Sequence, residues 1–186
     1  MPISFAIAGF PLEACDFLPQ DYRETASPTS NQCGWHATAI LVSQHGNRYL
    51  EGTVQLPKKY VDEMVAHALA DDPDECCGII AGRNGKATKF YRMSNPEHSP
   101  YRYSMDTKEL FKVTREIDDS GWEVLVIYHS HTHTEAYPSP TDVRLASYPE
   151  AFYILVSLMD KKAPAVKAYR IMDGHITPEK LDIVPG

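Results

Sequence analysis

The chain has 186 residues, 43% hydrophobic and 23% charged, enough for one domain with a sizeable core plus an extension. Its formal net charge of −7 gives no bulk electrostatic reason to bind nucleic acid or an anionic membrane. No apolar run approaches the ~20 residues of a membrane helix, no basic residues precede the mildly apolar start as in a signal peptide, and Cys15, Cys33, Cys76 and Cys77 form no C-x-x-C pair. The expectation is a cytoplasmic protein with reduced thiols, without a disulfide framework or a structural zinc site.

Residues 1–46 have little periodicity and are punctuated by Pro2, Pro11, Pro19 and Pro28. They read as a poorly ordered N-terminal extension to a domain over residues 47–186. Gly52 to Leu56 reads as a first strand, and Pro57 opens a helix from Lys58 to about Asp71. Val61, Met64, Val65, Ala68 and Leu69 form its apolar stripe. His67 lies off the stripe and is expected to face solvent. Asp71-Asp72-Pro73-Asp74 breaks the helix. A short strand then begins with the carboxylate of Glu75 and runs to Gly82, and Asn84-Gly85 turns it into a hairpin with Ala87 to Met93. Ser94 to Pro100 is loop, and Tyr101 to Met105 reads as a further strand. Asp106 starts a second helix, with Leu110, Val113, Thr114 and Ile117 on one side, and Gly121 ends it. Trp122 to Tyr128 is an apolar strand leading into histidines. Ser139 to about Ser147 is a third, short helix, Ala151 to Leu158 a strand, and Ala165 to Met172 with Ile176 to Val184 a last hairpin about Asp173-Gly174. Hairpins without regular βα alternation indicate an α+β domain, with a mixed or mostly antiparallel sheet flanked by helices.

The chemistry concentrates after the Trp122–Tyr128 strand, in the pattern H-x-H-x7-S-x-x-D formed by His129, His131, Ser139 and Asp142. Alternate residues of a strand share a face, so His129 and His131 can address one ion. Catalytic zinc takes three protein ligands and keeps a fourth position open, and Asp142 is a candidate third ligand. Ser139-Pro140-Thr141-Asp142 is equally a capping box, with Ser139 at the N-cap. The two readings are compatible, since a helix start can present Asp142 to the ion. His133 continues the alternation but lies past the expected strand end, so Asp142 is preferred to it. A hydrolase also needs a general base, and Glu75 is a candidate; spacing alone does not separate it from Asp74. Cys76 and Cys77, on an apolar strand, read as small buried hydrophobes rather than nucleophiles.

With Glu75 and the H-x-H-x7-S-x-x-D pattern together, the chain resembles the JAMM (MPN-plus, Mov34/PAD-1-type) metalloproteases over roughly residues 52 to 184. The resemblance implies a JAMM/MPN-like domain with a curved, mostly antiparallel mixed sheet. It also implies zinc on His129, His131 and Asp142, Glu75 as general acid/base rather than Asp74, and Ser139 stabilising the oxyanion. Four stretches are similar to the bacterial hydrolases of sulfur-carrier-protein–cysteine adducts. They are Asp74-Glu75-Cys76-Cys77-Gly78, Val126 to Thr132, Thr134 to Ser139, and Tyr169-Arg170-Ile171-Met172-Asp173-Gly174. This closer likeness implies a zinc (iso)peptidase that frees cysteine from the C-terminal glycine of a ubiquitin-like carrier ending in Gly-Gly, as in cysteine biosynthesis. His133 and residues 1–46 depart from the family pattern. A non-catalytic carrier-binding module with structural zinc, a related hydrolase trimming another extension, and a 2-His-1-carboxylate iron oxygenase are the alternatives. A TIM-barrel amidohydrolase is excluded by length and by the missing βα alternation.

Overall fold

A computed structural model of the protein describes residues 52–185. The expected N-terminal extension lies outside the described residues. The elements follow in the order β1 (Thr53–Pro57), α1 (Lys58–Asp71), β2 (Cys77–Arg83), β3 (Lys86–Met93), α2 (Thr107–Asp119), β4 (Glu123–His131), α3 (Pro140–Leu145), β5 (Phe152–Ser157), β6 (Ala165–Met172) and β7 (His175–Val184). Seven strands form one sheet in the order β1-β7-β6-β5-β4-β2-β3. The β1/β7 and β4/β5 pairs are parallel and the other four antiparallel. The end strands β1 and β3 return into contact, so the sheet curves nearly into a barrel. This is the α+β, mostly antiparallel, curved sheet expected from the sequence.

The local reasons are legible. Asn84 and Gly85 both take positive φ, 52° and 73°, as a tight two-residue hairpin requires. Asp173 and Gly174 do the same between β6 and β7. Asp106 caps α2 by accepting from the backbone N–H groups of Lys108 and Glu109. One face of the sheet packs on α1, where Met64, Ile80, Val126, Ile154 and Val156 are fully buried. The other face packs Cys77, Ile79 and Ala81 against Ile117 of α2. The β2/β4 register shifts between Ile80 and Ala81. The shift leaves Leu125 as an extra residue of β4, turned into the α1 core. Beyond it the alternation is regular. Val126, Tyr128 and Ser130 stand on one face, and Ile127, His129 and His131 on the other.

Two expectations are corrected. His67 is 5% exposed rather than solvent-facing. Its Nδ1 accepts from the Tyr128 hydroxyl at 2.9 Å, and its Nε2 lies 3.2 Å from Asp71 Oδ2. Burial lowers its pKa against the pull of Asp71, which suits a neutral ring between these partners. The segment Tyr101 to Met105 is not a strand. Side chains rather than a neighbouring strand take its backbone bonds: Asn95 Nδ2 donates to Arg102 O at 3.3 Å, Ser104 N donates to Asn95 Oδ1 at 3.1 Å, and Tyr101 N donates to Ser99 Oγ at 3.3 Å. Among the described residues, no helix is long and apolar enough to cross a membrane.

Candidate active site

Strand β4 runs through the histidines to His131, so both rings share its site-facing side. The β2/β4 register sets Cys77 opposite His129. Continuing it by two residues puts Glu75 across from His131, just before β2 begins. Ser130 fastens this juncture: its Oγ accepts from Cys76 N at 2.8 Å, and its N donates to Cys76 O at 3.0 Å. Glu75 is 4% exposed. Asp74 instead sits half-buried at the rim, 3.6 Å from His98 Nδ1. The register therefore distinguishes two carboxylates that spacing did not.

Asp142 reaches the same point from α3. The capping box and the convergence on the histidines coexist. Asp142 N donates to Ser139 Oγ at 3.2 Å, and Ser139 N donates to Asp142 Oδ2 at 2.6 Å. The same carboxylate holds Oδ1 3.4 Å from His129 Nε2 and Oδ2 3.4 Å from His131 Nε2. The two Nε2 atoms are 3.2 Å apart. These three residues are a group able to hold a metal ion among the described residues.

The group fits zinc by two tests. Ligand atoms at ~2.0–2.1 Å from a tetrahedral ion stand ~3.3–3.4 Å from one another, close to the observed spacing. His131 Nδ1 lies 2.9 Å from Glu135 O. A carbonyl only accepts, so Nδ1 carries a proton, and the neutral ring would offer the Nε2 lone pair to an ion. His129 is fully buried, with the Tyr103 ring stacked on it at 4.4 Å between centroids. That packing fixes its orientation.

Electrostatics follow from burial and these contacts. Burial pushes the Glu75 carboxyl up from 4.5 to about 7, with His131 opposing and Asp142 adding to the rise. Burial lowers His129 despite the bond to Asp142. Burial acts downward on His131 too, but Asp142, Glu135 O and Glu75 together leave it raised. Burial would raise Asp142; its bonds with His129 and His131 outweigh this and hold it well below the usual carboxylate range. Burial drives the Cys76 thiol up to about 12 and raises Cys77 as well, which keeps both as neutral, buried thiols near neutral pH. His133 lies outside the ion-holding group. Its ring is exposed, stacks on Tyr101 at 6.1 Å, and sets Nδ1 2.7 Å from Thr132 Oγ1.

Two openings flank the cluster. A cavity of about 330 Å³ beside Asp142 is walled by Tyr103, Ile127, Leu145, Tyr148 and Tyr153. A groove of about 680 Å³ passes His131 and Ser139 along Tyr137, Pro138 and Ile176. Sequence reasoning missed Tyr103, Ser130 and Asn95. The available signal for Ser130 was its place between the two histidines, on the opposite face of a strand that must be fastened there. Asn95 had only its place in a polar loop after a strand.

A family profile described as prokaryotic homologs of the JAB domain matches residues 57–172. The CysO-cysteine peptidase of Mycobacterium tuberculosis is 48% identical over 126 residues, 67% of this chain and 86% of that protein. The desampylase of Haloferax volcanii is 31% identical over 103 residues, 52% of this chain and 74% of that protein. A solution structure of a protein from Desulfitobacterium hafniense superposes with a TM-score of 0.64 at 32% identity, over 71% of this chain and 93% of that one. With the family profile spanning more than half its length and the curved sheet and His-His-Asp cluster in place, the chain belongs to the JAB family, among its prokaryotic members.

Proposed function

We propose that the protein is a zinc-dependent hydrolase that cleaves the amide bond after the C-terminal glycine of a ubiquitin-like sulfur-carrier protein, releasing a residue such as cysteine. The observation that carries this reading is the triangle of donor atoms from His129, His131 and Asp142, with buried Glu75 across the strand register from His131. The names of the similar proteins, a CysO-cysteine peptidase and a desampylase, support a peptide or isopeptide bond as the target.

His129 and His131 through Nε2, and Asp142 through its carboxylate, would hold the ion. Zinc so held supplies a Lewis acid that polarises the scissile carbonyl and makes water acidic enough to use near neutral pH. Glu75, shielded from solvent, takes a proton from the attacking water and returns it to the departing amine, a role worth ~10²–10⁴-fold. The carbon–nitrogen bond breaks as the amine gains that proton, and the glycyl carboxylate and free amine leave. Ser139 Oγ already accepts from Asp142 N, which leaves its own O–H free to donate to the developing oxyanion. Tyr103 stacks against His129, and Glu135 O orients His131. The extended Gly-Gly tail would lie in the cavity beside Asp142, whose aromatic walls suit a slender chain.

The test is to incubate the zinc-loaded protein with a ubiquitin-like carrier extended by cysteine and to weigh the products. Loss of one cysteine residue, slowed ~10²–10⁴-fold in Glu75→Gln with zinc still bound, is the expected result. Stoichiometric binding of the adduct without cleavage would replace this reading with that of a carrier-binding module. Full hydrolysis by Glu75→Gln would remove Glu75 from the mechanism.

A further inference from the structure

The loop between β3 and α2, residues 94–106, holds Glu75 by both of its backbone groups. Glu75 N donates to Ser99 O at 2.9 Å, and Glu75 O accepts from Asn95 Nδ2 at 2.8 Å. Asn95 is 8% exposed, and its amide makes four bonds. Nδ2 donates to Glu75 O and, at 3.3 Å, to Arg102 O. Oδ1 accepts from Glu97 N and from Ser104 N, both at 3.1 Å. Arg102 and Ser104 are the two chain neighbours of Tyr103, whose ring lies on His129. One side chain thus grips Glu75 with one hand and the Tyr103 shelf with the other.

We propose that Asn95 is a positioning residue for the reaction, fixing Glu75 in register with the His129 ring; this rests on the reading of Glu75 as general base. The amide is the group suited to the task. Two carbonyl oxygens, of Glu75 and Arg102, need a donor, while two N–H groups, of Glu97 and Ser104, need an acceptor. Aspartate is isosteric but offers no donor. It would set an oxygen against both carbonyls and leave Glu75 O without its bond. Alanine would release both. Neither change touches an ion-holding residue. Displacement of a catalytic group by about 1 Å can cost ~10²-fold in rate, so the effect should fall on kcat.

The experiment is a double-mutant cycle on the zinc-loaded full chain, with Asn95→Ala and Asn95→Asp made alone and in the Glu75→Gln background. Zinc content, KM and kcat for the carrier–cysteine adduct are measured for each, with thermal melting as the fold check. Ser94→Ala is the loop control, since Ser94 Oγ donates to Glu109 Oε1 at 2.8 Å and does not reach Glu75. Expected are one zinc per chain, KM within about threefold, and kcat lowered ~10–100-fold by each Asn95 change. In the Glu75→Gln background the same changes should cost nothing further. Ser94→Ala should keep wild-type kcat. Unchanged kcat in folded Asn95→Ala, equal losses in both backgrounds, zinc lost in step with activity, or failure of both Asn95 variants to fold would each overturn the proposal. Full activity of Glu75→Gln alone would instead overturn the general-base reading on which it rests.

Discussion

Replacing Glu75 by glutamine should stabilise the metal-free protein at neutral and alkaline pH, although on the proposed mechanism the same change slows the reaction. Burial holds the Glu75 carboxyl at about 7 against an ordinary 4.5. Between those values the folded metal-free chain keeps a proton that the unfolded chain has released. The folded state then binds more protons, so unfolding free energy falls as pH rises through this window. At about 1.4 kcal/mol per pH unit, the full displacement amounts to ~3 kcal/mol. That is a large part of the 5–15 kcal/mol typical of a domain. The glutamine variant lacks this term. Urea unfolding with a chelator present should give a wild-type-minus-variant difference that is constant below about pH 4.5, grows to ~3 kcal/mol in the variant's favour near pH 7 to 8, and then levels off. Groups remote from Glu75 cancel in the difference, whereas His131, which Glu75 helps to raise, adds its own part to it. Zinc saturation should shrink the pH-dependent part, because a nearby cation favours the carboxylate. A difference that stays flat from pH 4 to 8 without metal would refute the argument that burial controls this group.

Three further outcomes follow from the same contacts. Ser139→Ala should lose ~1 kcal/mol of stability as a helix cap and ~10²–10³ in kcat as an oxyanion donor, whereas Ser139→Asp should keep the cap and lose the rate; parallel melting and kinetic measurements separate the roles. Gly78→Ala should destabilise by ~1–3 kcal/mol in urea, because its Cβ would collide with the Tyr128 ring, which is fully buried and stacked on Phe90. His133→Ala should leave zinc stoichiometry and affinity unchanged in a metal titration, since its ring stacks on Tyr101 outside the ion-holding group.

Much of the fold is written in local patterns. Apolar runs marked β4 and β5, the Asn84-Gly85 turn marked the β2/β3 hairpin, and the Met64–Ala68 stripe marked α1. What escaped is what depends on polar partners distant in sequence. His67 looked exposed because an apolar stripe does not register a buried imidazole whose partner, Tyr128, is 61 residues away. Tyr101 to Met105 has the aromatic alternation of a strand, yet the side chains of Asn95 and Ser99 take its backbone hydrogen bonds and leave it a loop. The parallel pairings of β1 with β7 and β4 with β5 are long-range and leave no local mark. In the candidate site, the two histidines and Asp142 were visible through spacing. Family resemblance alone preferred Glu75 to Asp74; what sets Glu75 across from His131 is the Cys77–His129 register, which no single stretch contains.

The double duty of Asp142 has a consequence for how the cavity is assembled. Helix α3 is six residues long and begins at the Ser139–Asp142 box, and Thr141, Asp142 and Leu145 belong to the cavity wall. A helix so short has little intrinsic persistence. Whatever occupies the space between Asp142 and the histidines therefore also anchors that wall to β4. On the proposed function, loading the ion and shaping the cavity for substrate would be one equilibrium. Tight metal binding and tight substrate binding should rise and fall together, even for changes in α3 that touch neither ligand.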